Sequence, residues 1–218
     1  MIAIGGWCRE FTQKLRDAFG PALLFAGLQG SYGRGEAGPD SDIDMVVVLE
    51  DVGPAQRRAY RELVHSMPDA DKACGFLCSR AALESWPEYD RLFLYLDTTP
   101  LVGRLEDIAP LPDKAGAARE AVRIGAANLY HAACHSALYD TQPEAALPGL
   151  RKAAFFTLRA AYYACTGRFV RARRELVPLL ARREQALLDE SVPAGEAVGR
   201  LLAWSETAMQ AFMEPADS

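Results

Sequence analysis

The sequence lacks the long apolar runs that a membrane or secreted protein would show. No stretch approaches the roughly twenty continuous apolar residues of a transmembrane helix. The N-terminus has no charged segment followed by an apolar run of signal length. Internal repeats and low-complexity tracts are also absent. The pattern predicts a protein with no membrane partner and no secretory signal.

The sequence also lacks paired cysteines and a surplus of positive charge. None of its five cysteines forms a Cys-x-x-Cys pair. Their odd number and their scatter through hydrophobic segments favour reduced, buried thiols, so we expect a cytoplasmic protein. The formal net charge is -5. Because binding to a nucleic-acid backbone needs a basic surface, nucleic acid is not the expected partner.

The composition is that of an ordinary globular protein. Half of the 218 residues are hydrophobic and 24% are charged. This length suffices for one large domain or two small ones. The informative features must therefore be sought in local motifs.

Residues 30–44, GSYGRGEAGPDSDID, form the most informative segment of the chain. Asp42 and Asp44 are two positions apart at the start of an apparent strand, so we expect them on one face. Two neighbouring carboxylates favour a hard divalent cation such as Mg²⁺, which usually bridges to phosphate. Gly30 and Ser31 form a small-residue turn that would let phosphate approach backbone N–H groups.

An isolated Asp-x-Asp pair is more often a solvated turn than a metal site. Here the pair has a specific context. The strand-like run ALLFAGLQ precedes Gly30, and the β-branched residues 46–48 follow Asp44. A strand, a phosphate-type turn, a loop and a second strand with two carboxylates together predict a Mg-nucleotide site.

This segment resembles the motif of the nucleotidyltransferase superfamily that includes DNA polymerase beta. The layout is most similar to bacterial small-molecule nucleotidyltransferases of the kanamycin or aminoglycoside type, which have a C-terminal helical domain. The specific motif covers about fifteen residues, and the looser layout covers most of the chain. The residues that match it in order are Gly30, Ser31, Arg34, Gly35, Ser41, Asp42, Ile43 and Asp44.

The resemblance implies transfer of a nucleoside monophosphate from an NTP, most simply ATP, to a hydroxyl of a small acceptor. Pyrophosphate would be released. Metal ions in such reactions stabilise the attacking and the leaving oxygens. The resemblance assigns nucleotide binding to Gly30, Ser31, Arg34 and Ser41, and one or two Mg²⁺ ions to the catalytic residues Asp42 and Asp44.

The superfamily uses a third carboxylate on a later strand, and the matching strand here is predicted at Ala73–Ser79. The expected position falls at Cys74 or Gly75, and neither is acidic. A thiolate at Cys74 would suit Mg²⁺ poorly. Asp71 is the nearest substitute and our third catalytic candidate, and Asp97 is a second substitute.

Three interpretations of this gap stay open. The strand register is different and Asp71 serves, or a base comes from the helical domain, or the protein binds nucleotide without turnover. In the helical domain His131 and His135 share one helix face and are candidate bases, although ordinary helix positions explain them as well. A zinc site at this pair lacks an evident third ligand.

The pattern of elements predicts an α+β protein. Residues 1–110 are predicted to form a small mixed sheet with helices, including a fourth strand at Leu92–Leu96, and Asp97–Asp113 reads as a linker. Residues 111–218 are predicted to form a helical bundle for substrate binding or dimerisation. Arginines between positions 168 and 183 are explained by a solvated helix face or by contact with a polyanion.

Three functions follow from these features. The first is a Mg-dependent nucleotidyltransferase that acts on a small hydroxylated acceptor, such as an aminoglycoside-like compound. The second is a nucleotide-binding or regulatory protein of the same fold with impaired catalysis. The third is an antitoxin-like enzyme that modifies a protein, although this chain carries its own helical domain. A homodimer is the candidate assembly.

Overall fold

The computed structural model describes residues 2–213. The chain divides after Pro112 into two compact units. The first contains a four-stranded sheet with helices, and the second is helical. The predicted α+β class, with a mixed sheet followed by a helical region, is confirmed. None of the helices among the described residues is long and apolar enough to span a membrane.

The sheet of the first unit has the strand order β3-β2-β1-β4. Strand β1 pairs antiparallel with β2 and β4, whereas β2 and β3 are parallel. The strands are β1 (Leu23–Leu28), β2 (Ile43–Leu49), β3 (Ala73–Ser79) and β4 (Thr99–Val102). Both faces of β2 pack into hydrophobic clusters, which explains its unbroken apolar run.

Helices cover both faces of this sheet. The alternating residues Ile43, Met45 and Val47 pack with Trp7 and Phe11 of the first helix, and their neighbours face the opposite core. The helices of the unit are α1 (Ile4–Phe19), α2 (Gly30–Arg34), α3 (Pro54–His65), α4 (Arg80–Glu84) and α5 (Glu88–Asp97).

The prediction of a strand at Leu92–Leu96 is wrong, because these residues lie in α5. A short apolar run does not distinguish a buried strand from a buried helix. The preceding Pro87 is the N-cap of α5, and Glu88 and Asp90 in the first turn favour a helix electrostatically. The fourth strand is instead β4, which lies inside the predicted linker. Its Pro100 is tolerated because β4 is an edge strand.

The second unit is built on three long helices. Helix α6 packs against α7 and α10, around a core that includes Leu129, Leu158 and Leu201. After the second of these helices, the helical segment is interrupted by a 3₁₀ turn at Val177–Leu179, because Pro178 cannot donate a backbone hydrogen bond. The helices are α6 (Lys114–Tyr139), α7 (Leu147–Thr166), α8 (Arg173–Leu176), α9 (Arg182–Leu188) and α10 (Ala194–Ala211).

Candidate functional site

The turn between β1 and α2 brings Gly30 directly under the carboxylate of Asp44. The Gln29 N–H donates to the Asp44 carbonyl at 2.8 Å, which holds the end of β1 against β2. Gly30 follows with a φ of 66° and begins α2. A Cβ atom at this position would lie 1.7 Å from Asp44 Oδ2. Glycine is therefore required here to make room for a carboxylate, whereas the sequence suggested room for phosphate.

Ser31 and Ser41 have different local roles in the segment after this turn. The Ser31 carbonyl accepts the N–H groups of Gly35 and Glu36, which ends α2 at the left-handed Gly35. Its hydroxyl makes no hydrogen bond within the described residues and can meet a ligand. The Ser41 hydroxyl instead accepts the Gly38 N–H at 2.9 Å and shapes the loop before β2.

Arg34 lies on α2 between two carboxylates. Its Nη1 is 3.5 Å from Asp97 Oδ2, and its Nε is 3.5 Å from Glu36 Oε2. The side chains of Arg34 and Asp97 are about one-tenth exposed, so water weakens this pair little. Gln29 Nε2 also donates to Thr98 Oγ1 at 2.8 Å, which fixes the end of α5 beside the turn. Asp97 thus holds the predicted nucleotide-binding arginine.

The sequence did not assign this role to Asp97. The sequence pattern presents Asp97 only as a substitute for the third carboxylate, at the end of a predicted strand. The contact depends on α5 being a helix, because Asp97 is its last residue. No local pattern in the sequence indicated the pairing with Arg34.

Asp42 and Asp44 lie at the entrance to β2 in different surroundings. Asp42 is exposed and precedes the first strand residue, Ile43, whereas Asp44 is half-buried as the second residue of the strand. Their oxygen donors fit Mg²⁺, which is commonly held by one or two carboxylates together with substrate phosphates. Within residues 2–213, no group of three or more His, Cys, Asp or Glu side chains is placed to hold a metal.

The neighbouring strand β3 does not supply a third carboxylate beside Asp44. Cys74 is paired with Asp44 in the parallel register, as the missing acidic residue would be. Cys74 nevertheless lines a cavity of about 130 Å³ together with Trp7, Tyr60 and Met45. Met45 faces the α1 core, on the side of β2 opposite to its neighbour Asp44. Cys74 therefore lies on the face away from the Asp44 carboxylate.

The conformation of Gly75 explains why Cys74 and its register partner Asp44 lie on opposite faces of the sheet. Its φ of 113° breaks the regular alternation of β3. A Cβ atom there would lie 1.9 Å from the Met45 carbonyl oxygen, so the position cannot carry a side chain. Tyr60 lines the same cavity as Cys74. Burial raises the pKa of Tyr60 to about 12, and the nearby charge of a Cys74 thiolate adds to the effect.

The remaining candidates lie on other elements than Asp42 and Asp44. Asp71 is exposed in the 3₁₀ turn Ala70–Lys72 that precedes β3. Lys72 Nζ donates to the Pro39 carbonyl at 2.5 Å, which joins this turn to the loop before β2. His131 and His135 are exposed on α6, and His135 Nε2 is 3.8 Å from Asp140 Oδ1. Catalytic roles for Asp71 and for either histidine stay predictions.

One family model matches part of the first unit. Residues 8–72 match the family model of the nucleotidyltransferase domain. The matched segment spans less than a third of the chain and ends just before β3. The match lies within the first unit and agrees with the nucleotidyltransferase superfamily that the sequence motif predicts. No curated protein sequence matches the chain.

Two solved structures are similar to this chain. Spectinomycin adenyltransferase AAD(9) from Enterococcus faecialis, solved with ATP and spectinomycin, aligns with a TM-score of 0.58 and 13% identity. The alignment covers 94% of this chain and 99% of that chain. A toxin-antitoxin structure with AMP-PNP gives a TM-score of 0.35 and 26% identity, over 46% of this chain and 76% of that chain. The first similarity supports the fold, and the second is too low to support an argument.

Proposed function

We propose that this protein transfers a nucleoside monophosphate from an NTP to a hydroxyl group of a small acceptor and releases pyrophosphate. ATP is the first candidate, since the similar adenyltransferase structure was solved with it. The observation that carries the proposal is the packing of Gly30 under the Asp44 carboxylate. This packing places the carboxylate next to the turn of a nucleotidyltransferase domain.

The residues around this turn suit a triphosphate. Ser31 offers a hydroxyl, and Arg34 offers a guanidinium that Asp97 keeps in place. Bound Mg²⁺ would be held by Asp42 and Asp44, and it would supply the charge that neutralises phosphate oxygens. Transfer of a phosphoryl group depends mainly on positioning and on charge neutralisation, and these residues provide both.

The acceptor proposed first is an aminoglycoside-like compound. The support is the similar fold of the spectinomycin enzyme, which extends across nearly the whole chain. A protein acceptor is the alternative that the same experiment detects, because the labelled product then has a different mass. A homodimer stays a proposal for the assembly.

A second function is nucleotide binding without efficient turnover. The specific observation in its favour is β3, where Gly75 excludes a side chain and Cys74 faces away from Asp44. In the superfamily that the motif resembles, the third carboxylate commonly serves as the general base or as the metal bridge for the attacking hydroxyl. A site that lacks this carboxylate would still bind Mg-NTP but would catalyse nucleotidyl transfer more slowly.

The test separates binding from turnover. Calorimetric titration with each of the four NTPs, with and without Mg²⁺, measures binding. Release of pyrophosphate and transfer of label from α-labelled NTP to spectinomycin measure turnover. We expect Mg-dependent binding of at least one NTP, and we expect Asp42→Asn and Asp44→Asn to abolish it while the thermal unfolding temperature is kept. Asp51→Asn is the matched control, since Asp51 is exposed beyond the opposite end of β2.

Each outcome has a distinct meaning. Binding together with acceptor-dependent pyrophosphate release supports the transferase. Binding without turnover, across small-molecule and protein acceptors, supports the second function. If Asp42→Asn or Asp44→Asn binds Mg-NTP as the parent does, the site assignment is wrong.

A further inference from the structure

The helical unit contains a pocket of about 740 Å³ between α7, α9 and α10. This volume falls within the range of about 300–1,000 Å³ that is typical of small-molecule sites. All of its lining residues lie between positions 158 and 212, so none belongs to the nucleotide site described above. Neither the sequence motif nor the proposed function assigns a role to it.

The walls of this pocket are mainly apolar and partly aromatic. Leu158 and Tyr162 come from α7, Leu187 from α9, and Trp204 and Phe212 from α10 and its C-cap. Leu158 and Leu187 are buried and fix the base of the pocket within the core of the unit. Aromatic and aliphatic walls of this kind suit a ligand with an apolar body.

The charge at the pocket is mainly positive. Arg182 and Arg183 line it, and neither makes an ion pair or a hydrogen bond within the described residues. Arg200 also lines it, but its Nη2 is 2.5 Å from Glu196 Oε1. The one lining carboxylate, Glu184, accepts the Ala181 N–H at 3.1 Å. Two guanidinium groups therefore remain to meet an anion.

We propose that this pocket binds an anionic amphiphile, that is, a small molecule with an aromatic or aliphatic body and one carboxylate or sulfonate group. Arg182 and Arg183 receive the anion, and the apolar wall around Trp204 covers the body. Charge-assisted hydrogen bonds from guanidinium groups are stronger than neutral ones and give the site its selectivity. A cationic aminoglycoside is a poor ligand here, because the same guanidinium groups repel it.

The experiment compares two probes that share an apolar body and differ in charge. The probes are 8-anilinonaphthalene-1-sulfonate and the uncharged N-phenyl-1-naphthylamine. We expect one sulfonate probe to bind per chain, at least about tenfold more tightly than the neutral probe, because only the sulfonate gains charge-assisted contacts. The double variant R182Q/R183Q should lose this tenfold preference and keep its affinity for the neutral probe.

Arg123→Gln is the matched control, since Arg123 is an exposed arginine on α6 that does not line the pocket. It should bind both probes as the parent does. Cysteine alkylation gives a second readout that needs no substitution. Cys165 lines the pocket and is exposed, whereas Cys74 is exposed in the other unit. Bound sulfonate probe should slow alkylation of Cys165 severalfold and leave Cys74 unchanged, as measured by peptide mass spectrometry.

Three results would each overturn the proposal. The first is equal affinity for the charged and neutral probes. The second is unchanged sulfonate affinity in R182Q/R183Q. The third is binding that leaves alkylation of Cys165 unaffected. All three are independent of nucleotide turnover, so they distinguish failure of this inference from failure of the proposed function.

Discussion

Replacement of Gly30 by alanine should disable the nucleotide site while the protein remains folded. The new Cβ atom would lie 1.7 Å from Asp44 Oδ2 and 2.7 Å from its Cγ. Real Cβ atoms essentially never approach another heavy atom within 3.0 Å, so the carboxylate oxygen must move by at least about 1.3 Å. The Asp44 side chain is the part that can yield, because the strand backbone beneath it is held by pairing on both sides.

The size of the effect follows from this displacement. A misplacement of about 1 Å in a reacting site costs about 100-fold in rate, which corresponds to about 2.7 kcal/mol. An alanine at a φ of 66° also carries strain of about 1–2 kcal/mol, which lowers the free energy of unfolding. We therefore expect Gly30→Ala to lose about 100-fold in nucleotidyl transfer and to remain folded.

Gly20→Ala is the matched control for backbone strain. Gly20 also has a positive φ, of 50°, and a Cβ atom there meets nothing within 4 Å. It should also lower the free energy of unfolding, measured by urea titration, because alanine is strained at a positive φ, and it should leave activity unchanged. In the binding-only case, the Kd for Mg-ATP replaces the rate as the readout. The reasoning is refuted if Gly30→Ala keeps activity and affinity within threefold of Gly20→Ala.

Three further predictions concern side chains around the sheet. Cys74→Asp should give no gain in turnover, because a carboxylate there faces the α1 side of β3; a tenfold gain over the parent would contradict this placement. Asp97→Asn should raise the KM for ATP about tenfold with a smaller change in kcat, because Arg34 loses its buried partner. Asp97→Glu keeps the carboxylate and should lower the KM part of the way back. An unchanged KM in Asp97→Asn would refute the role of Asp97 in positioning Arg34. The free energy of unfolding should fall by about 2–3 kcal/mol between pH 10 and about 12, because the unfolded state loses the Tyr60 proton at a lower pH than the folded state does. In a pH series of urea titrations, Tyr60→Phe should reduce this fall. An equal fall in both proteins would exclude Tyr60 as the cause.

The parts of the fold that the sequence predicts are those set by local patterns. The turn at Gly30, the apolar run of β2 and the helix Lys114–Tyr139 all carry their own signals, namely a Gly-Ser pair, β-branched residues and alanine-rich helical spacing. Pro178 also indicates from the sequence that the helical segment is interrupted there, because a proline inside a helix breaks its hydrogen bonding. The error at α5 has a different origin. Its apolar run LFLYL satisfies strand and helix patterns equally, and only packing against the sheet decides between them.

The candidate site shows the same division between local and long-range information. The motif and its context predict Asp42 and Asp44 at the entrance to β2, where the structure has them, and their role in metal binding stays a prediction. The pairing of Arg34 with Asp97 joins residues 63 positions apart, and no periodicity encodes it. The side on which Cys74 lies depends on the φ angle of the next residue, and glycine tolerates a wide range of φ angles. The sequence pattern thus shows that the third carboxylate is missing from β3, but it does not show whether a side chain at Cys74 would face Asp44.

None of the four positions considered for the third carboxylate lies ready to replace it. At Gly75 the Met45 carbonyl excludes a side chain, and the exposed Cys74 lines the cavity on the α1 side of the sheet. Asp97 already serves Arg34, so its use as a base would release a buried guanidinium at a cost of several kcal/mol. Asp71 would have to move from its exposed turn. If the protein catalyses transfer, the general base of the reaction therefore does not lie on β3. The pH dependence of kcat in Asp71→Asn then tests whether Asp71 is that base. A lost acidic limb assigns the base to Asp71, and an unchanged profile excludes it.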